Sequence, residues 1–421
     1  MQVNDLAKKE DIYLGKKIID YLCGINYRQV FFVLCIDLFI FQNLIQEIIG
    51  PFKYFDELFS VLIFPVAFLY LMLSKGRVRV RKDNIVIVVL LGLITCFGLY
   101  SNLKYKYQPF SAVFQDVLLV WKFYLAYFAS KALFSSEMNG DRIKSILNIN
   151  CKIITLILFA LTCLDYVFHI FRTQIRYGLR SLYLFYSHPT FVAGVCICLL
   201  VLIVYSEVKK SKVTYLYLGM LLIMTMLTLR SKAIVMAVII VISYIYMVVF
   251  SKKISVGFWF VIAALGIFLA YDQISYYFFD LEDGARQQLL RNSFYIARDY
   301  FPFGTGFGTY GSHPSKEMYS PVYYIYGLNK IWGLGEVYNF FISDNFWPMI
   351  LGQLGCLGLL GYVSILIVFF KRIQRAYNRE NNRKYFAAMM LFCYLLIAST
   401  SESAFVHTYA VMFALIFGIL I

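Results

Sequence analysis

The stretch "PFGTGFGTYGSHPS", residues 302–315, spells G-x-G-x-x-G with Gly306, Gly308 and Gly311. In a soluble α/β chain such a string could cradle a pyrophosphate, because glycine lets backbone amides approach phosphate oxygens at a helix N-terminus. That reading needs a strand before the glycines and a helix after them. Neither is present: the residues ahead of Pro302 have helical spacing, and those behind lead into His313-Pro314. What remains is a glycine-rich turn that ends a helix and folds the chain back.

The surrounding chain decides the fold class. Hydrophobic residues make up 61% of the 421 residues, aromatics 19% and charged residues only 15%. This composition excludes an ordinary globular enzyme. Apolar runs, mostly of roughly 17 to 22 residues, are long enough to cross a hydrocarbon core about 30 Å thick. They fall at 29–49, 57–73, 84–101, 112–133, 151–171, 188–206, 213–229, 233–250, 255–271, 345–370, 385–399 and 404–421. An all-α polytopic membrane protein with about twelve transmembrane helices is expected. The weakest runs are 112–133, which contains Gln115, Asp116 and Lys122, and the pair meeting at Arg230. The cysteines sit mostly inside predicted helices without ligand spacing and read as packing residues.

Charge orients the spans, because cytoplasmic loops collect Lys and Arg. The arm 1–28 carries Lys8, Lys9, Lys16, Lys17 and Arg28, and alternate connections carry clusters such as Lys75/Arg77/Arg79/Arg81 and Lys371/Arg372/Arg375. All fall on one side if both termini are inside. The net charge of +15 is then a topology signal, and nucleic acid is not needed as a partner. The chain divides into the arm, spans one to nine over 29–271, a long outer loop over 272–343, and spans ten to twelve over 344–421. That loop is rich in Tyr, Phe, Trp and Gly, which favours an ordered subdomain over a linker.

Basic residues on the outer side stand out. The short outer loops hold Arg172, Arg176 and Arg180 in "FRTQIRYGLR", and Arg230 and Lys232 in "LTLRSKAI". The long loop adds Arg286, Arg291 and Arg298 on "EDGARQQLLRNSFYIARDYF", a predicted helix on which Arg291, Tyr295 and Arg298 share a face. Planar guanidinium groups hold phosphate oxygens bidentately, so such a cluster at a membrane surface suits a pyrophosphate. Lipid headgroups or local ion pairs would use the same residues.

In order along the chain come "RYGLRSLYLFYSHPTFVAG" (176–194), "LTLRSKAIVMAVII" (227–240), "GARQQLLRNSFYIARDYFPFGTGFGTYG" (284–311) and "SDNFWPMILGQLGCLGLLGYV" (343–363). This succession resembles the O-antigen ligase and Wzy-type polysaccharide polymerase superfamily, over roughly residues 170 to 365. The resemblance implies a GT-C-like membrane glycosyltransferase of the bacterial cytoplasmic membrane, with its site on the extracytoplasmic face. Its substrate would be an oligosaccharide on undecaprenyl pyrophosphate, and no metal or cofactor is implied. Arg230 matches the arginine of the family's T-x-S-R patch, one position out of register, and Arg286 or Arg291 matches the loop arginine before P-x-x-G-x-G. Where ligases often have His-Asn, this chain has Asp344-Asn345. The missing histidine tilts the expectation toward a polymerase of repeat units, with a ligase or a lipid-linked oligosaccharide flippase as alternatives. A chain-length regulator and a separate flippase are the protein partners such a polymerase implies.

The reaction needs charge stabilisation of a departing lipid pyrophosphate and an acceptor hydroxyl aimed at the anomeric carbon. The expected arginines are Arg230, Arg291 and either Arg176 or Arg180, supported by Arg286, Arg298 and Lys232. Asp344 is the expected general base, with Glu336 and Glu402 as rivals, although Asp344 also suits a helix cap. Glu402 is expected to pair with an arginine, and His313 to touch the acceptor.

Overall fold

The computed structural model describes residues 26–74, 81–208, 211–253, 284–377 and 382–421, with scattered positions from 255 to 275. Most of the expected ninth span, nearly all of the N-terminal arm and the beginning of the long loop lie outside these residues. The described chain is all-α apart from one two-stranded hairpin, in which β1 (Ile175–Arg176) pairs antiparallel with β2 (Leu179–Arg180).

In chain order the helices are α1 (Tyr27–Ile40), α2 (Gln42–Ile48), α3 (Phe55–Leu73), α4 (Lys82–Tyr105), α5 (Phe110–Leu133), α6 (Asp141–Phe168), α7 (Pro189–Ser206), α8 (Lys212–Leu227) and α9 (Ser231–Tyr244). After these come α10 (Ala285–Asp299), α11 (His313–Glu317), α12 (Pro321–Ile325), α13 (Phe346–Arg375), α14 (Asn382–Ser399) and α15 (Ala410–Leu420). Among the described residues seven helical segments are long and apolar enough to cross a membrane: 50–73, 82–105, 110–133, 141–168, 189–206, 231–249 and 346–375. The pair α1 and α2, bent by 69°, would make an eighth. The protein thus carries the helix set of a polytopic membrane protein.

Two expected spans come out shorter. The run 213–229 ends as a helix at Leu227, and the run 404–421 becomes helical only at Ala410. In the second case hydrogen bonds of the turn residues 400–409 to one another and to Ser343 compete with the helical pattern. Run length alone cannot foresee this, because Ala404, Phe405 and Val406 extend the apolar run into the turn.

The helices pack around α5, which lies chiefly against α3 and α15, while α7 is buried along nearly its whole length. The segment 284–343 closes around a second small core of Leu289, Ile296, Tyr310, Val322, Tyr323, Leu328, Leu334 and Ile342. It is joined to the bundle at a break in α13. At Gly355 the backbone turns to φ 65°, ψ −166°, which interrupts the helical ladder. The carbonyls of Gly352 and Gln353 then accept from the amides of Thr305 and Gly306, at 3.1 and 2.8 Å, and Leu357 donates to the Pro302 carbonyl at 3.3 Å. Broken helix and glycine turn satisfy each other. Gly306 sits at φ 99°, and a Cβ there would meet the Asn102 side chain of α4 at 2.6 Å, so no other residue fits.

Candidate functional site

One end of the bundle encloses a cavity of about 1610 Å³. Its walls come from sequence-distant places: the α2–α3 junction with Asn43, Lys53 and Glu57, the first half of α5 with Asp116 and Lys122, the hairpin region, the start of α9, the start of α10, the turn before α11, and residues 400–408. Each is a connection expected on one side of the membrane, or the helix end beside it. Apolar groups including Val235, Ile239, Leu396 and Ile397 line part of the wall.

Most of the expected site residues meet here. Arg176, Arg230, Lys232, Arg286, His313, Asp344 and Glu402 all line the cavity. Arg176 is presented by the hairpin, and Arg230 stands at the N-cap position of α9, where Nη2 lies 3.5 Å from Gln174 Oε1. Arg286 Nη2 is 2.9 Å from Asp344 Oδ2, and Lys232 Nζ is 2.7 Å from Glu402 Oε1. Glu402 therefore holds a lysine where an arginine was expected. Tyr409 also donates its hydroxyl to Glu402, at 2.6 Å.

The two carboxylates differ in their titration. Burial pushes Asp344 above the ordinary range, and the Arg286 charge and hydrogen bond only partly offset it. Burial works on Glu402 in the same direction, but Lys232, His407 and the Tyr409 hydroxyl outweigh it and hold that carboxyl below the ordinary range. Burial also lowers His313, which faces Glu317 at 3.5 Å.

Three expected residues do not line the cavity. Arg180 points to Asp165 of α6 at 3.9 Å. Arg291 and Arg298 share a face of α10 with Tyr295, both guanidinium groups lying over its ring at 5.8 and 5.5 Å. That face is the exposed one, and Arg298 additionally contacts Asp299. Leu289 and Ile296 turn the opposite side of α10 into the second core, and Arg286, at the helix start, reaches the cavity instead. Of the two arginines matching the loop position, the cavity takes Arg286. Glu336 likewise lies off the cavity, bonded to the Tyr324 hydroxyl.

A charged group that the sequence reading passed over also faces this space. Lys122 Nζ of α5 lies 2.7 Å from Asp56 Oδ2 and 3.8 Å from Glu57 Oε1 of α3. The signal was present: ionisable residues inside apolar helices are expensive and mark function by default. In the sequence Lys122 and Asp116 interrupt the apolar run 112–133 and name no partner.

The glycine turn does not offer its amides to a ligand. The N–H groups of Gly304, Thr305, Gly306, Phe307, Gly308, Gly311 and Ser312 all donate within the protein, Phe307 to Asn102 Oδ1 at 2.8 Å and Gly308 to the buried Asp116 Oδ2 at 2.7 Å. The turn is an anchor between the segment 284–343 and the helices α4, α5 and α13. Among the described residues no three His, Cys, Asp or Glu side chains gather where they could hold a metal ion. Compared with known protein families and with curated proteins, the chain gives no match.

Proposed function

We propose that this chain is a membrane glycosyltransferase that polymerises undecaprenyl-pyrophosphate-linked repeat units into a surface polysaccharide. The observation that carries the reading is the cavity itself. It combines Arg176, Arg230, Lys232 and Arg286 with apolar wall residues, at the helix ends that carry the outer connections in the expected topology. Guanidinium groups there suit a pyrophosphate leaving group, and the apolar flank suits a polyprenyl chain. In the full proposal about twelve spans build a GT-C-like body with both termini inside. The cavity then opens on the outer face of a bacterial cytoplasmic membrane.

Two of the four cations are neutralised by neighbouring carboxylates, which keeps them in place when no substrate is present. A departing pyrophosphate competes for them as its charge develops, the moment at which preorganised donors act most strongly. No metal enters this scheme.

The test is reconstitution. Purified protein in detergent is supplied with lipid-linked repeat units extracted from the source strain, and products are resolved by size. A ladder of longer lipid-linked glycans is expected, lost in Arg230→Ala and Arg286→Ala. Movement of the lipid across a vesicle without chain growth would replace the polymerase with a flippase.

A further inference from the structure

The cavity contains two groups of charge. Arg230, Lys232 and Arg286 stand with Asp344 and Glu402 in one, and Lys122, paired with the buried Asp56, stands with Glu57 in the other. His407 lines the same cavity. A polymerase must seat a donor and an acceptor side by side, and two stations joined in one space answer that need.

The second station is more than a structural ion pair. The side chains of Lys122 and Asp56 are 3% and 1% exposed, and each balances the other's charge away from water. With that balance complete, Glu57 is a surplus carboxylate. Its side chain is 35% exposed and lines the cavity beside a fixed ammonium. A pair retained for stability alone has no use for a third charge, whereas a cavity-facing carboxylate next to a locked cation is placed to accept a proton. Asp344 and Glu402 are less suited, because each is held directly by a cation at 2.9 and 2.7 Å.

We propose that Glu57 is the catalytic base on the acceptor side of the glycosyl transfer, with Lys122 as its positioning residue; this rests on the polymerase reading. The acceptor hydroxyl gives its proton to the Glu57 carboxylate while its oxygen bonds to the donor's anomeric carbon. The bond from that carbon to the pyrophosphate oxygen breaks, and the lipid pyrophosphate leaves with the electron pair on the side of Arg230 and Arg176.

The experiment compares wild type with the near-isosteric Glu57→Gln in the ladder assay and measures binding of labelled undecaprenyl pyrophosphate to both. Expected are a loss of about 100-fold or more in chain growth, undecaprenyl pyrophosphate binding within about twofold of wild type, and a rate in Glu57→Gln that no longer falls on acidification as the wild-type rate does. Glu57→Asp should recover part of the activity. A normal ladder from Glu57→Gln overturns the inference and leaves the polymerase reading intact. Loss of pyrophosphate binding in Glu57→Gln overturns it too, showing a structural role. No ladder from the wild type, on substrate from its own strain, overturns both.

Discussion

The two ends of the helical bundle use the same residue types to different effect. At the end without the cavity, Arg28 pairs with Glu137 at 2.8 Å, Arg375 with Asp83 at 3.0 Å and Arg383 with Glu207 at 3.1 Å, each stitching neighbouring connections together. At the other end, Arg176, Arg230, Lys232, Arg286 and Lys122 converge on one space. Basic residues therefore do not mark a site by number. They mark one where the fold encloses a volume between them, and the first end shows what such residues look like when they serve topology alone.

The largest expected effect tests this contrast directly. Arg230→Ala and Arg286→Ala should each reduce chain growth by about 100-fold or more, the scale of losing one preorganised donor to a developing anion. Arg375→Ala, which breaks an exposed pair worth about 1 kcal/mol at most, should stay within about twofold. Equal losses at both ends, read as initial rates of ladder formation, would erase the distinction.

Next in size is the anchor that brings the segment 284–343 to the cavity. Gly306→Val places a side chain at φ 99° and against Asn102. Leaving the left-handed region alone is worth about 1–2 kcal/mol, before the clash is counted. Thermal unfolding in detergent should shift to lower temperature, with activity falling in parallel. A variant as stable as wild type would mean that the turn is not the joint between the two cores.

The helix α10 repeats the comparison on a smaller scale, since it presents Arg286 to the cavity and Arg291 to the exposed face. Arg291→Ala should change the rate by no more than about threefold, in contrast to Arg286→Ala. A loss in Arg291→Ala as deep as in Arg286→Ala would restore the expectation drawn from the sequence. Arg291 lies off the cavity for a geometric reason. The two residues lie five apart, roughly 140° around a helix, so a motif match that allows either cannot say which faces inward. Apolar length and alternating charge are local properties, which is why an all-α polytopic body and the convergence of Arg230, Lys232, Asp344 and Glu402 were legible. The Lys122, Asp56 and Glu57 group joins residues some 65 positions apart across two helices, and no local pattern announces that packing. The bend at Phe41 and the break at Gly355 depend equally on neighbours that the sequence does not place.

The smallest expected effect separates the two cavity carboxylates by pH. Glu402 is held below its ordinary value, so its contribution to stability is present above the unfolded value of about 4.3 and is lost as pH falls through the folded one. Asp344 is raised, so the folded protein takes up its proton before the unfolded chain does, and acidification favours the fold at that position. The stability gap between wild type and Asp344→Asn should therefore move in favour of wild type as pH falls through the raised folded value toward the unfolded one of about 3.9. Between pH 7 and the unfolded glutamate value of about 4.3 the gap to Glu402→Gln should hold, and it should shrink as pH falls further. Melting temperatures in detergent across that range measure both gaps. If they move together, the two ion pairs are electrostatically equivalent, and the contrast drawn between Asp344 and Glu402 falls.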